Sequence, residues 1–257
     1  MKTIYFASSL MWDADADALF AMAQTLGAGG IELWAQQADD RDLDLKRLRT
    51  LKESTGIDLV VHAKSWDLNY AALNARIRDA SVAEIKASID IAAAVGAEEI
   101  TVHPPRYTLK PSEEARDLAY HSILDFVAYG KARGVMVSME VMEHIKKEMA
   151  TTPEEMCAIV RDANVCYTVD VAHCKDEAEC FDNIQKLGRV SKLHISNKQG
   201  TKLHTPLPDG DFDFAALLPR LEALGIPMTM EGPVESGDYT TLKRNFKFIN
   251  TIKENLK

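Results

Sequence analysis

One arrangement recurs along this chain and limits the folds that it can adopt: a helical segment ends at a glycine, and a short apolar strand follows at once. Six glycines and one asparagine occupy such positions: Gly27, Gly56, Gly96, Gly134, Asn164, Gly188 and Gly225. Glycine, and less readily asparagine, adopts the left-handed backbone conformation that ends a helix without steric cost. The alternation of helix and strand predicts parallel strands joined by crossover helices.

Eight short segments have the apolar, β-branched character of buried strands. They are Thr3–Ser8, Gly30–Trp34, Ile57–His62, Glu98–His103, Val135–Glu140, Val165–Val171, Val190–Ile195 and Pro227–Glu231. The intervening segments repeat apolar residues at helical spacing, so each helix has one stripe to pack on a sheet. A length of 257 residues is usual for one eight-unit barrel. We therefore predict an α/β fold, a single (β/α)8 TIM barrel that forms one catalytic domain over residues 1–257.

Acidic residues and histidines recur at a fixed distance after these helix ends. The sixth position after a cap is His62, Glu140, Asp170, His194 or Glu231, and the seventh after Gly96 is His103. The 39 acidic residues and 7 histidines are about one residue in six, so chance does not produce this series. In a parallel barrel these positions meet at the C-terminal rim, where barrel enzymes have their active sites.

The convergence of these groups predicts a divalent metal ion, because facing carboxylates without a cation are costly to desolvate. Glu140, Asp170, His194 and Glu231, from four consecutive strands, form an oxygen-rich set that suits Mn, Mg or Co. Zn becomes possible if further imidazoles join. The candidates for additional metal or substrate contacts are His62, His103, His173 and His204. The sequence has no P-loop or GxGxxG motif, which leaves metal-assisted acid–base chemistry.

Other residues near the predicted rim are candidates for substrate binding. Arg106 follows two prolines that stiffen its loop, and it suits an anionic substrate group or, equally, an exposed surface. Glu32 and Trp34 end the second strand, and Trp12 and Trp66 lie on loops after the first and third strands. Aromatic walls suit a sugar ring or an apolar substrate face, and internal packing is the alternative.

The net charge and the hydropathy of the sequence limit the binding partners that we expect. The net charge of −9 gives no broad basic surface for a phosphate backbone, so we expect no nucleic-acid partner. The N-terminus lacks the pattern of a leader and no apolar run reaches membrane-spanning length, so we expect a cytoplasmic protein without membrane contact. The four cysteines lack CxxC spacing and are expected to be reduced thiols. A homo-oligomer is compatible with the sequence.

Several segments together resemble the xylose isomerase-like barrel superfamily, which includes sugar isomerases and epimerases and the endonuclease IV group. The segments are IEL, HA, AAAVGAEEITVHPP, SMEV, VDVAH, LHISN, HTPLPDGDFDF and MTMEG. The resemblance covers nearly the whole chain. The ordered series Glu, Asp-x-x-His, His, Glu is specific for the superfamily and does not identify a reaction.

Similarity to the ketose epimerases implies one ion held by Glu140, Asp170, His194 and Glu231. The ion would polarise a carbonyl and the adjacent hydroxyl and so stabilise an enediolate, while Glu140 and Glu231 move a proton on opposite faces of the substrate. His173 matches the histidine that contacts substrate in that group. The arginine that these epimerases have after the seventh strand is absent, and Lys198 and Lys202 are the nearest cations.

Similarity to the endonuclease IV group implies three Zn ions. Eight residues match its ligands: His62, His103, Glu140, Asp170, His173, His194, His204 and Glu231. Lys202 stands where that group has an aspartate, which removes one ligand and places a positive charge where the third metal ion would lie. On this basis a sugar or sugar phosphate isomerase or epimerase is the first prediction, an endonuclease IV-like zinc phosphodiesterase the second, and a non-catalytic sugar-binding barrel the third.

Overall fold

All eight predicted strands are present in the computed structural model, which describes residues 3–255, and each begins and ends within one residue of its predicted bounds. The strands of the barrel are β1 Ile4–Ala7, β2 Gly30–Trp34, β3 Asp58–His62, β4 Glu99–Val102, β5 Met136–Val141, β6 Cys166–Asp170, β7 Val190–Ile195 and β10 Met228–Met230. All pairings between them are parallel, and β1 pairs with both β2 and β10, so the sheet closes. The prediction of a (β/α)8 barrel is confirmed.

The helices lie between the strands along the chain. They are α1 Ala16–Leu26, α2 Ala35–Asp40, α3 Leu45–Thr55, α4 Ala75–Val95, α5 Glu113–Lys131, α6 Pro153–Val160, α7 Glu177–Leu187, α8 Phe214–Glu222 and α9 Thr240–Asn255, with a 3-10 turn at Ser8–Met11. All six predicted glycine stops have a positive φ, between 66° and 73°. Among the helices that lie within residues 3–255, none has both the length and the apolar character that crossing a membrane requires.

The prediction for Asn164 is wrong. Helix α6 ends at Val160, and Arg161 adopts the positive φ of 48° three residues earlier than expected. The guanidinium of Arg161 lies 2.9 Å from Glu113 and 2.6 Å from Asp117 on α5, so the residue that follows the helix contacts the neighbouring helix. Asn164 instead accepts a hydrogen bond from Arg189 at 2.9 Å.

The two faces of the barrel strands differ in chemistry. Leu193 lies between two inward-facing residues of β7, so it points outward and belongs to the apolar core with helix residues such as Leu19 and Phe126. The inner face is polar where barrel interiors are usually filled by branched aliphatic side chains. On five strands a buried polar residue precedes the strand-end acid or histidine by two positions: Thr101, Ser138, Thr168, Lys192 and Thr229. A polar layer therefore lies directly beneath the C-terminal rim.

Candidate metal centre

The four principal predicted ligands meet at the C-terminal ends of β5, β6, β7 and β10. One ligand atom each of Glu140, Asp170, His194 and Glu231 lies within 4.8 Å of the other three. His194 Nδ1 is 3.0 Å from Glu231 Oε1 and 3.3 Å from Glu140 Oε1. Glu140 Oε2 and Asp170 Oδ2 are buried and accept no hydrogen bond. A divalent cation between these carboxylates would remove the free-energy cost of burying them without donors, so the group fits a metal ion.

A second group of possible ligands lies on the side of β3 and β4. The Nε2 atoms of His62 and His103 are 3.1 Å apart, and Glu140 Oε2 lies 3.6 Å from the first and 3.2 Å from the second. His62 Nδ1 is 2.8 Å from the carbonyl oxygen of Ala63, which assigns its proton to Nδ1 and leaves the Nε2 lone pair directed at the group. Glu140 therefore belongs to two groups at once.

A third group lies on the side of β6 and contains Asp170, His173 and His204. Asp170 Oδ2 is 3.5 Å from His173 Nε2 and 3.8 Å from His204 Nδ1. His173 Nδ1 lies 2.9 Å from the carbonyl oxygen of Val141, so its Nε2 is the nitrogen available to a cation. His204 is brought back to the rim by an antiparallel hairpin, β8 Asn197–Gln199 and β9 Lys202–Thr205, that follows β7. None of the eight predicted strands includes this segment.

The charges of the cluster are strongly coupled. Burial alone would lower the pKa of His173, but the carboxylates of Asp170, Glu140 and Glu143 outweigh it and raise that pKa to about 9. Burial likewise opposes protonation of His194, yet the nearby glutamates raise its pKa well above the ordinary value. Without a metal, these two histidines therefore carry positive charge that partly balances the acids.

The two glutamates of the main group differ in protonation. Burial would raise the pKa of Glu140, but His194 and His103 outweigh it and hold that pKa well below its usual range. Burial raises the pKa of Glu231, and the charges of Glu140 and Asp170 add to that effect, so the pKa lies well above its usual range despite His194. Of the two, Glu140 is therefore the carboxyl that ionises more readily, and Glu231 is the one that keeps its proton more readily.

A cavity of about 520 Å³ opens beside the three groups, and it is lined by Trp34, Ser65, Trp66, Asp67, His103, Arg106, Met142, Glu143, His173 and His204. Its volume lies in the range of small-molecule sites. The ring of Trp66 lies 5.5 Å from that of Trp12 and 5.9 Å from that of Trp34, and Trp34 stacks on His62 at 4.7 Å. The three tryptophans thus form one wall that reaches the possible metal ligands.

The three basic side chains predicted to contact the substrate lie in different surroundings. Arg106 lines the cavity and pairs with the buried carboxylate of Glu148. Lys198 donates to the carbonyl oxygens of Cys174 and Lys175. Lys202 is exposed on β9 and has no ion-pair partner among the described residues. The structure therefore gives no support to the idea that Lys202 keeps a cation out of the third group.

Two further residues matter that the sequence did not single out. Glu143 lines the cavity, and its Oε2 is buried, accepts no hydrogen bond and lies 3.7 Å from His173 Nε2. Lys192 is buried in the barrel interior and pairs with Glu32 at 2.7 Å. Glu32 is itself fully buried below His194 rather than at the cavity. The sequence feature that could have identified Lys192 is its position two residues before His194, because alternate residues of a strand lie on the same face.

One relative found by sequence similarity is described only as uncharacterized. An uncharacterized protein of Methanocaldococcus jannaschii is 26% identical over 193 residues, which cover 71% of this chain and 66% of that protein. The match thus spans slightly less than two thirds of the relative's length.

Solved structures of enzymes share the fold. A structure of L-ribulose 3-epimerase superposes with a TM-score of 0.81 at 18% identity, covering 99% of this chain and 95% of that one. Endonuclease IV from Thermus thermophilus gives a TM-score of 0.78 at 19% identity, covering 98% and 99% of the two chains. The sequence profile of one family, described as xylose isomerase-like TIM barrel, matches residues 20–252. The chain belongs to the xylose isomerase-like TIM barrel family.

Proposed function

We propose that this chain is a metal-dependent hydrolase of small phosphoesters whose centre holds more than one divalent ion. The observation that carries the proposal is that Glu140 and Asp170 are each shared between two groups of ligands. A carboxylate has two oxygens and can bridge two ions, and closely spaced ions are typical of phosphatases and nucleases. A centre with a single ion in the main group leaves the histidines of the other two groups without a cation to bind.

Each part of the site has a role in such a hydrolysis. Bound divalent ions supply Lewis-acid polarisation of the phosphoryl oxygens and activation of water. The attacking water gives up one proton to a base and its oxygen bonds to phosphorus; the bond from phosphorus to the leaving oxygen breaks, and that oxygen takes up a proton from solvent. Glu143 is our candidate for the base that accepts the proton of the water, because its free Oε2 lies at the cavity. Trp34 and Trp66 exclude bulk water from one side.

Charge and shape favour a small substrate over duplex DNA. The chain has a net charge of −9, and Arg106 is the one lysine or arginine among the described residues that line the cavity. Duplex binding depends on many cationic contacts with phosphates. The cavity instead suits a phosphoester whose organic part lies along the tryptophan wall and whose charge is met at the metal centre.

An isomerase or epimerase of a sugar or sugar phosphate is the second candidate. The specific feature in its favour is that Glu140 and Glu231 belong to the same group and have pKa values shifted in opposite directions, the first lowered and the second raised. Such a pair suits removal of a proton from one face of a substrate carbon and its return on the other. In that case the main group alone would hold the ion, and His173 would contact the substrate.

Metal analysis together with a substrate panel distinguishes the two candidates. We expect the purified protein to bind more than one Zn, Mn or Co per chain and to release nitrophenol from bis(p-nitrophenyl) phosphate or p-nitrophenyl phosphate. A single ion per chain, with turnover of a ketose panel and none of the phosphoesters, would overturn the hydrolase assignment. Cleavage of an abasic-site duplex would contradict the restriction to small substrates. A metal-loaded protein that changes none of these substrates favours a non-catalytic barrel.

A pair of variants tests the contribution of the second group. We expect His103→Ala to bind one ion fewer per chain and to lose about 100-fold or more in phosphoester hydrolysis, because it removes a ligand. His121→Ala is the matched control, since His121 is exposed on α5 away from the centre. Equal metal content and activity in both variants would contradict the proposal.

A further inference from the structure

The barrel interior contains a buried ion pair beneath the metal centre. Lys192 Nζ lies 2.7 Å from Glu32 Oε1, and the two side chains are 2% and 0% exposed. Lysine is among the side chains that are least often fully buried, and burying an ion pair is favourable only with good geometry and further hydrogen bonds. Stability alone therefore does not explain why the barrel interior contains this ion pair.

The hydroxyl group of Thr101 contacts both members of the ion pair. Lys192 Nζ donates to Thr101 Oγ1 at 2.5 Å, and Thr101 Oγ1 donates to Glu32 Oε1 at 2.8 Å. Lys192 Nζ is also 3.5 Å from Glu99 Oε1. One oxygen of Glu32 is thus occupied by Lys192 and Thr101, which fixes the plane of the carboxylate and directs the other oxygen upward.

That second oxygen, Glu32 Oε2, lies 3.1 Å from Nε2 of His194. The other ring nitrogen of His194, Nδ1, faces Glu231 and Glu140 in the main ligand group. An ionised carboxylate only accepts hydrogen bonds, so it keeps a proton on Nε2 and leaves the lone pair of Nδ1 for a cation. Carboxylates that bind the far nitrogen of a metal-bound histidine orient the ring and increase its basicity.

We propose that Glu32, held in place by Lys192, is the positioning residue of the centre: it sets the ring orientation and tautomer of His194 so that Nδ1 faces the metal. This replaces the substrate contact predicted for Glu32, which no substrate reaches at 0% exposure. The inference rests on His194 being a metal ligand, which both candidate functions share. It does not depend on which reaction the enzyme catalyses.

The test compares metal binding by variants that avoid an unpaired buried charge. Glu32→Leu combined with Lys192→Met removes both charges, and replacements of this kind often preserve or increase stability. We expect the double variant to bind Co²⁺ or Zn²⁺ at the main group about 10- to 100-fold more weakly. We also expect an altered visible spectrum of the Co²⁺ protein. In the Zn²⁺ protein, nitrogen-15 NMR should show that His194 no longer carries its proton uniquely on Nε2.

Two further variants complete the experiment. Glu32→Asp keeps the charge beside Lys192 but withdraws the carboxylate from His194 by one methylene, so we expect a folded protein with about 10-fold weaker metal binding. Thr229→Val is the matched control, because the Thr229 hydroxyl lies in the same buried layer and makes no hydrogen bond. Wild-type metal affinity and an unchanged Co²⁺ spectrum in the double variant, or in Glu32→Asp should the double variant not fold, would overturn the proposal. Loss of phosphoester or ketose turnover plays no part in this test.

Discussion

The raised pKa of His173 makes both the stability and the metal affinity of the protein depend on pH. The pKa rises from an ordinary 6.5 to about 9, so the protonated form stabilises the metal-free fold. That contribution is complete below about pH 6.5 and is lost as the pH rises through about 9. A shift of about 2.5 units corresponds to about 3 kcal/mol. The change to make is His173→Asn, which removes the proton site.

Urea denaturation of the chelator-treated protein between pH 6 and 9.5 measures this contribution. We expect the free energy of unfolding of the wild type to fall by about 3 kcal/mol more than that of His173→Asn over this interval. The comparison with the variant removes the effects of titrating groups outside the cluster. Parallel pH profiles for the two proteins would refute the argument that Asp170 and its neighbours hold a proton on His173.

The same proton opposes metal binding at the third group. At pH 7, about two units below the pKa, its displacement costs about 2.7 kcal/mol, or about 100-fold in apparent affinity. Titration calorimetry at pH 7 in buffers of different ionisation enthalpy should therefore show one more proton released on full loading of the wild type than of His173→Asn. Equal proton release would show that His173 is neutral or does not bind metal.

Three other substitutions test separate parts of the structure. Trp66→Ala should raise the KM of the substrate found in the panel by about tenfold with little change in melting temperature, because the exposed ring contributes about 1 kcal/mol of stacking; an unchanged KM would remove Trp66 from the binding surface. Gly210→Ala should lower the free energy of unfolding by about 1–3 kcal/mol, measured in urea, since its new Cβ would overlap Asn197 Oδ1; wild-type stability would contradict this packing. Arg106→Ala leaves the buried carboxylate of Glu148 without its cation, and burial already raises the pKa of Glu148. The loss of stability, about 1–3 kcal/mol, should thus be larger at pH 8 than at pH 5, and a loss independent of pH would rule out this cause.

The fold and the positions of the possible ligands were predictable because both depend on local, repeated features. Glycine stops such as Gly188 determine where a strand begins, and a strand of fixed length then places His194 at the rim. The prediction was wrong at Asn164, because Arg161 takes the positive φ three residues earlier, and its ion pairs with another helix are contacts that the local sequence does not reveal.

The interior contacts were beyond prediction because they join residues far apart in sequence. Lys192 and Glu32 are separated by 160 positions and meet only when the barrel closes. In the sequence VSKLHI the lysine has the pattern of an exposed residue on a half-buried strand. The hairpin that returns His204 to the rim was missed for a related reason, since its strands of three and four residues are too short for a periodic signal.

The polar inner face of the barrel separates the residues that maintain the fold from those that lie near the candidate metal centre. Along each strand the outward residues pack against helices and maintain the fold, while some of the residues between them, such as Lys192, lie beneath the candidate metal centre. Substitutions of the inner-face residues that contact possible ligands, directly or through Glu32, can alter metal binding with little loss of apolar packing. An architecture of this kind lends itself to divergence, in which related sequences keep one scaffold and acquire different chemistries.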